Sequence, residues 1–164
     1  VLTDKKSLTA MMGIENGIVE IENIMSETFS AVRNSLLPVL MGVLAKNRHH
    51  DYPQRIFEQG KVVLRKGEEV VEKDSLALVS CHSKAEFTEM KQYLNFLMAS
   101  LGLSYELKHL QHQSFIKGRC GEIMVNSSIV GIIGEISTEV LVNFGLENPE
   151  AAVELNLSAI LQKL

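Results

Sequence analysis

The chain has 164 residues, a formal net charge of -4 and a hydrophobic share of 46%, which together predict one domain with a buried core of its own. The acidic excess argues against a surface dedicated to nucleic acid, because proteins that hold strands by neutralising phosphates usually carry a basic excess. The apolar runs are too short to span a bilayer and the N-terminus lacks a signal-peptide pattern, so we expect a cytoplasmic protein with no membrane contact.

The N-terminal segment predicts a short helix followed by a strand. Residues 4–12 suit a helix that Asp4 or Thr3 caps and that Gly13 ends. Residues 17–23 alternate charged with aliphatic side chains, which is the period of a half-buried strand.

A second helix is predicted to begin after Ser35, whose hydroxyl can cap it. Pro38 is tolerated there because first-turn amides have no acceptor within the helix. We expect this helix to end within residues 47–50. Its apolar residues recur at helical spacing and predict one buried face, formed by Leu36, Leu37, Leu40, Val43 and Leu44.

The middle of the chain predicts two strands and the longest helix. The strands cover residues 55–64 and 75–82, with a tight turn around Gly67, and the second has the β-branched and apolar content of a strand inside a sheet. Residues 84–101 carry apolar side chains at steps of three and four, and Gly102 is placed to end the helix.

The last third predicts shorter elements that complete an α+β fold. They are a strand at 105–110, a hairpin of strands at 121–126 and 129–135, a helix that Ser137 caps and Gly145 ends, a strand at 151–157, and a helix to Leu164 that Ser158 caps. Strands in hairpins and helix-linked pairs, without regular βαβ repeats, predict a mostly antiparallel sheet of six to seven strands covered by helices.

Two blocks of residues follow an order that neither periodicity nor composition requires. The first begins at Asn23 and Ser26, passes through Arg33-Asn34-Ser35-Leu36-Leu37-Pro38 and ends in Phe57-Glu58-Gln59-Gly60-Lys61-Val62. The second runs from Phe115 to Leu155 and contains Gly118-Arg119, Gly131-Ile132-Ile133-Gly134-Glu135 and Asn143-Phe144-Gly145. In order and spacing the two blocks resemble the β subunit of phenylalanyl-tRNA synthetase, and the run at 53–58 is nearest to its archaeal type.

This resemblance implies a fold like that of class II aminoacyl-tRNA synthetases, with residues 1–164 forming one domain, the catalytic-like core module of a longer β subunit. A start at Val1 and not at methionine fits an excised piece. The implied partners are the α subunit, other β-subunit modules and, through an (αβ)2 holoenzyme that is a phenylalanine–tRNA ligase, tRNA-Phe. ATP and magnesium are implied for the holoenzyme, and no cofactor for this domain.

The same resemblance implies that the module has lost its grip on ATP. Class II synthetases hold the triphosphate with two arginines, because a guanidinium stays charged and offers a bidentate fork to phosphate. Leu64 stands at the first arginine position, and residues 153–161, which correspond to the second, contain no arginine. We therefore expect a non-catalytic module whose motif residues are structural: Arg33, Ser35, Leu37, Pro38, Phe57, Glu58, Gly60, Gly134 and Glu135.

The alternative is a stand-alone class II-like enzyme or amino-acid-binding protein. It would need phosphate grips at unusual positions, such as Arg33, Arg55 or Arg119. A pocket on the floor of the sheet with convergent charged side chains would favour this alternative. No catalytic residue and no metal site is predicted, since the histidines and cysteines lack metal-ligand spacing.

A basic cluster follows the second helix and has two interpretations. Lys46, Arg48, His49 and His50 can complement the dipole at the helix C-terminus, or they can contact RNA or an anionic partner.

Apolar surface of the isolated chain is predicted to form contacts with other chains or modules. The stripe along residues 87–101 is expected to be core, or a subunit contact if its apolar arc is wider than the core needs, and residues 155–164 are the second place to look.

Overall fold

The computed structural model describes residues 2–22 and 29–164. Asn23 and Ser26 of the first block, and the last residue of the strand predicted at 17–23, lie outside this range. Within the described residues 17–22, the structure has a strand of two residues, Val19–Glu20. The N-terminal strands form a small antiparallel sheet in the order β1-β3-β2, made of β1 (Leu2–Thr3), β2 (Val19–Glu20) and β3 (Ala31–Val32).

The main sheet has six strands, and every neighbouring pair is antiparallel. Its strands are β4 (Gln54–Lys66), β5 (Glu69–Cys81), β6 (Glu106–His109), β7 (Phe115–Val125), β8 (Ser128–Ile136) and β9 (Glu150–Asn156), in the order β4-β5-β9-β8-β7-β6. The predicted α+β class and the mostly antiparallel sheet are confirmed.

Helices cover both faces of this sheet, which gives three layers. They are α1 (Leu37–Lys46), α2 (Phe87–Ser100), α3 (Thr138–Phe144) and α4 (Leu157–Leu161), with a π-helical turn at Ser7–Met11. One core packs α1 and α3 on the first face, and a second core packs α2 and α4 on the opposite face. Among the described residues, no helix has the length and apolar content to cross a bilayer.

Several helix ends follow their local sequence signals. The Asp4 carboxylate accepts from the Ser7 amide at 2.7 Å, and Gly13 takes a positive φ of 71° where the π-helical turn ends. Ser137 caps α3 through the Val140 amide, and Gly145 ends that helix in the left-handed conformation. The cap of α4 was predicted wrongly: Asn156 Oδ1 accepts from the Ala159 amide at 3.1 Å.

Further details differ from the sequence prediction, among them the start of β7, which lies at Phe115 and not at residue 121. The first helical segment is a π-helical turn and not an α-helix over 4–12. The terminal helix ends at Leu161, before Leu164, and Ser158 lies inside its first turn, where its hydroxyl accepts from the Asp74 amide. Val43 is 41% exposed, so the buried face of α1 is narrower than the apolar spacing suggests.

Candidate functional site

The first block of motif residues forms a polar contact network between the segment before α1 and strand β4. The Arg33 guanidinium donates from Nε to the Lys61 carbonyl at 2.9 Å and from Nη1 to the Glu58 carboxylate at 2.5 Å. A Cβ atom on Gly60 would collide with Arg33 Nη2. Because residues two apart in a strand share a face, Glu58 and Gly60 lie on the same face of β4, and the Arg33 guanidinium packs against both.

Ser35 belongs to a second network, whose other member comes from β9. The Ser35 hydroxyl donates to Glu154 Oε2 at 2.5 Å, and Glu154 Oε1 accepts from the Leu36 amide at 2.9 Å. The Glu154 carboxylate therefore caps the N-terminus of α1, where helix amides lack partners and negative charge is favourable. Burial raises the pKa of Glu154, and the hydrogen bonds from Ser35 and Leu36 oppose that rise.

Glu135 has the same relation to the helix on the opposite face. Its carboxylate accepts from the Phe87 amide at 3.0 Å, at the start of α2, and from Arg119 Nη1 at 2.6 Å. The preceding Gly134 lies in close packing, because a Cβ there would be 2.7 Å from both Cys120 Cβ and Phe115 Cδ1. Two glutamates from adjacent strands thus cap the two long helices of the domain.

The other motif residues divide between core and surface. Leu37 and Pro38 are buried in the first turn of α1. Phe57, predicted to be structural, has its side chain 72% exposed on the opposite face of β4 and is not part of either core cluster.

A cavity of about 510 Å³ lies on the α1 side of the sheet. A lining of convergent charged side chains would favour the alternative function, an enzyme or amino-acid-binding protein. Leu64 is one of its lining residues, so an aliphatic side chain occupies the position that the resemblance assigned to a phosphate-binding arginine. Among the described residues that line the cavity, Lys73 and His112 are the only basic ones. Burial lowers the pKa of both, and in Lys73 the neighbouring Lys66 lowers it further.

The carboxylate of Glu154 also lines this cavity, but it is committed to the α1 cap. Most of the other polar lining is uncharged and comes from amide and hydroxyl side chains: Asn16, Asn34, Ser35, Ser75, Gln111, Gln113, Ser114 and Asn156. The arrangement can donate and accept neutral hydrogen bonds, but it offers no guanidinium to a phosphate.

Each of the three arginines considered as an alternative phosphate grip is paired with a glutamate. Arg33 contacts Glu58, Arg55 Nε lies 2.9 Å from Glu89, and Arg119 contacts Glu135. Arg55 is on the α2 side of the sheet, where Glu89 also accepts from Ser80 and lies 2.7 Å from His82 Nε2. Burial acts to raise the pKa of Glu89, but hydrogen bonds from Arg55, His82 and Ser80 hold it below its usual value.

The basic cluster after α1 is only partly committed to the fold. Arg48 Nη1 donates to the Gly145 carbonyl at 2.7 Å and so ties the end of α1 to the end of α3. Lys46, the last residue of α1, is exposed, as are His49 and His50, whose ring centroids are 4.2 Å apart. The structure therefore gives Arg48 a tertiary contact and leaves the other three side chains on the surface.

The capping role of Glu154 was not predicted from the sequence. This residue was considered only as part of the second block and of segment 153–161, because its partners Ser35 and Leu36 are 119 and 118 positions away along the chain. The signal available was a glutamate inside an otherwise apolar strand, since a buried carboxylate needs hydrogen-bond partners.

Comparison with known proteins places the chain in a family. A family model described as the phenylalanyl tRNA synthetase beta chain CLM domain matches residues 1–157. Among curated relatives, the phenylalanine–tRNA ligase beta subunit of Thermococcus onnurineus is 50% identical over 143 residues, 85% of this chain and 25% of the relative. That of Methanocella arvoryzae is 46% identical over 147 residues, 87% of this chain and 27% of the relative.

The chain spans about a quarter of the length of these curated relatives. Among solved structures, a pyrrolysyl-tRNA synthetase from Desulfitobacterium hafniense superimposes with a TM-score of 0.78 at 16% identity, over 98% of this chain and 59% of that chain. At this identity the likeness shows the fold alone, and it confirms the predicted fold of the class II type.

Proposed function

The chain belongs to the phenylalanyl-tRNA synthetase β-chain family, and from this premise we propose that it is the non-catalytic structural core module of a phenylalanine–tRNA ligase β subunit. In this role residues 1–164 form one domain that supports assembly with the catalytic α subunit and with other β-subunit modules. The holoenzyme would attach phenylalanine to tRNA-Phe at the expense of ATP. The archaeal relatives agree with the archaeal type of the motif.

The observation that carries this proposal is the internal use of the charged motif residues. Arg33 is paired with Glu58, and Glu154, which lines the cavity, caps α1, so these charged motif residues stabilise the fold. A charge-assisted hydrogen bond typically contributes about 1.5–3 kcal/mol. Breaking these contacts to bind a ligand would cost a comparable amount, which favours a structural role.

The residues present do not fit the ATP and magnesium that the family implies for the holoenzyme. No arginine is among the described residues that line the cavity, and Lys73 has a lowered pKa. Within the described part of the chain, no group of three His, Cys, Asp or Glu side chains could hold a metal ion. We therefore assign ATP and magnesium to the α subunit and derive no catalytic step in this domain.

The experiment is co-purification of the full-length β subunit with its α subunit, followed by phenylalanine-dependent pyrophosphate exchange. Lys73→Gln in the β subunit should leave the exchange rate within about twofold of the parent, because the proposal gives this module no contact with ATP. A tenfold loss with the complex intact would contradict the proposal. So would micromolar ATP affinity of the 164-residue chain in calorimetry, or failure of the β subunit to co-purify with α.

A further inference from the structure

Strand β4 is an edge of the main sheet, and part of that edge is already covered. The Val63 amide donates to the Arg33 carbonyl at 2.9 Å, and the Arg65 amide donates to the Gly17 carbonyl at 2.9 Å. Arg33 directly follows β3 of the small sheet, whereas Gly17 lies in a bend with a φ of 73°. These two contacts show that the amides of Val63 and Arg65 point away from β5 and that another part of the chain can pair with them.

The first half of the same edge is open among the described residues. The β4–β5 register runs without a shift from Gln54↔Cys81 to Lys66↔Glu69. In an antiparallel pair the backbone groups of alternate residues point away from the partner strand. Since Val63 and Arg65 point outward, so do Arg55, Phe57 and Gln59. Within the part of the chain that the structure describes, the outward amides of these three residues have no hydrogen-bond acceptor.

An apolar groove lies beside this open stretch, between the sheet and α2. It has a volume of about 270 Å³ and is lined on the strand side by Phe57, Leu76 and Leu78 and on the helix side by Tyr93, Phe96 and Leu97. Phe96 is 78% exposed, and with Phe57 it leaves two aromatic rings largely in solvent. An exposed apolar patch next to an unpaired strand edge is a surface that proteins usually cover.

The charges around the groove are balanced by pairs within the chain. Arg55 contacts Glu89 and Lys61 contacts Glu72. A strongly charged partner would gain little here, because these groups already have counter-charges. The surface favours an uncharged, apolar segment that can supply backbone hydrogen bonds.

We propose that an extended segment of about five residues, from the part of the β subunit outside residues 1–164, pairs with Arg55–Gln59 as a seventh strand and places apolar side chains in the groove between Phe57 and Phe96. This inference rests on the proposed function. Because the chain covers 25% of its Thermococcus onnurineus relative, about three quarters of that subunit lies elsewhere. Attachment in the same polypeptide gives such a segment a high effective concentration.

The geometry also defines the residue pattern of this segment. Residues directly opposite one another in neighbouring strands have side chains on the same face of the sheet. The residue opposite Phe57 would therefore face α2 and enter the groove, and its neighbours two positions away would flank it. We expect aliphatic or aromatic side chains at these alternate positions and no charge at the central one.

The test places the photocrosslinking amino acid p-benzoylphenylalanine at position 57 or 96 of the full-length β subunit, purified in complex with the α subunit. Val142 is the control position, since it is also exposed but lies on α3, on the other side of the sheet. Mass spectrometry identifies the crosslinked peptide, and a mixture of ordinary and nitrogen-15-labelled β subunits separates crosslinks within one subunit from crosslinks between copies.

The expected result is one common β-subunit segment outside residues 1–164, crosslinked within the same copy from positions 57 and 96 but not from 142. Crosslinks to the α subunit, to a second copy of the β subunit, or no crosslink from either groove position would overturn the proposal. Failure of the β subunit to co-purify with α would count against the proposed function instead, and it is seen before irradiation.

Discussion

At the scale of single residues, Glu150 is a carboxyl that the fold buries beside the Cys81 thiol. It is 1% exposed at the start of β9, and neither carboxylate oxygen has a partner among the described residues. It lies opposite Cys81 of β5, and its burial raises its pKa to about 7. Burial also raises the pKa of the Cys81 thiol, and the nearby Glu150 carboxylate raises it further. The apolar setting thus favours the neutral form of both groups.

Glu150 should make the stability of the domain depend on pH. The pKa is higher in the folded than in the unfolded state, so the folded state binds the proton more tightly. The free energy of unfolding is therefore highest below about pH 4.5 with respect to this group and falls as pH rises through 7. Glu150→Gln should raise the free energy of unfolding at pH 8 by up to about 3 kcal/mol and have little effect at pH 5.

Urea unfolding at pH 5 and pH 8 measures this difference. Glu147→Gln, at an exposed glutamate nearby in sequence, is the matched control and should change stability equally at both pH values. Equal effects of the two variants at pH 8 would show that Glu150 is ionised at little cost in the folded protein.

Gly60 is the second residue-scale case, because its missing side chain makes room for the Arg33 guanidinium. Gly60→Ala should lower the free energy of unfolding by about 1–3 kcal/mol, since Arg33 must leave Glu58 or the strand must shift. The loss should shrink in an Arg33→Ala background, which a double-mutant cycle detects. Gly42→Ala, in the interior of α1 with open space around it, is the control and should be neutral or stabilise. A full loss in both backgrounds would mean that Arg33 is not the obstacle.

At the scale of elements, local patterns predicted the type and order of most helices and strands, whereas the contacts between distant residues were missed. The spacing of apolar residues by three and four predicted α2, and the Asn126-Ser127 turn with positive φ joins β7 to β8 where a hairpin was expected. The two strands predicted on either side of Gly67 are shorter than the observed strands β4 and β5. The reason is that residues 65–74 are largely charged and exposed and carry no strong apolar period. The caps from Glu135 and Glu154 come from distant strands, so no local pattern announces them.

Helix α1 offers a test of what its apolar face contributes. Leu40 is buried against the sheet, so Leu40→Ala should lower the free energy of unfolding by about 2–5 kcal/mol through lost burial and a cavity. Val43→Ala, one turn on and exposed, should change it by less than about 0.5 kcal/mol. Chemical denaturation of both variants decides this. Similar small losses would place the core face of α1 elsewhere.

At the scale of the whole molecule, the sheet separates the cavity on the α1 side from the exposed apolar groove on the α2 side. The motif networks of Arg33 and Ser35 lie with α1, where the resemblance led us to expect structural residues, and Leu64 lines the cavity as an aliphatic residue. The exposed groove lies on the α2 side. The sequence indicated that the apolar arc of α2 could be wider than the core needs. The exposure of Phe57, however, depends on which face of the edge strand β4 its side chain occupies, and the order of the motif residues does not predict that face.

The exposed groove and open edge together predict that the isolated 164-residue chain self-associates. Removed from the segment proposed to cover it, the first half of β4 presents unpaired backbone groups beside Phe57 and Phe96, and a second copy can pair with them. Sedimentation velocity should show a concentration-dependent shift from monomer to dimer.

Phe57→Lys should weaken that association at least tenfold, since it puts a charge into an apolar contact, whereas Val142→Lys, at an equally exposed site on α3, should leave it unchanged. The free energy of unfolding of both variants should stay within about 0.5 kcal/mol of the parent, because neither side chain is buried. A chain that stays monomeric at every concentration, or a dimer that Val142→Lys dissolves as readily as Phe57→Lys, would show that the groove is not the surface through which the isolated module associates.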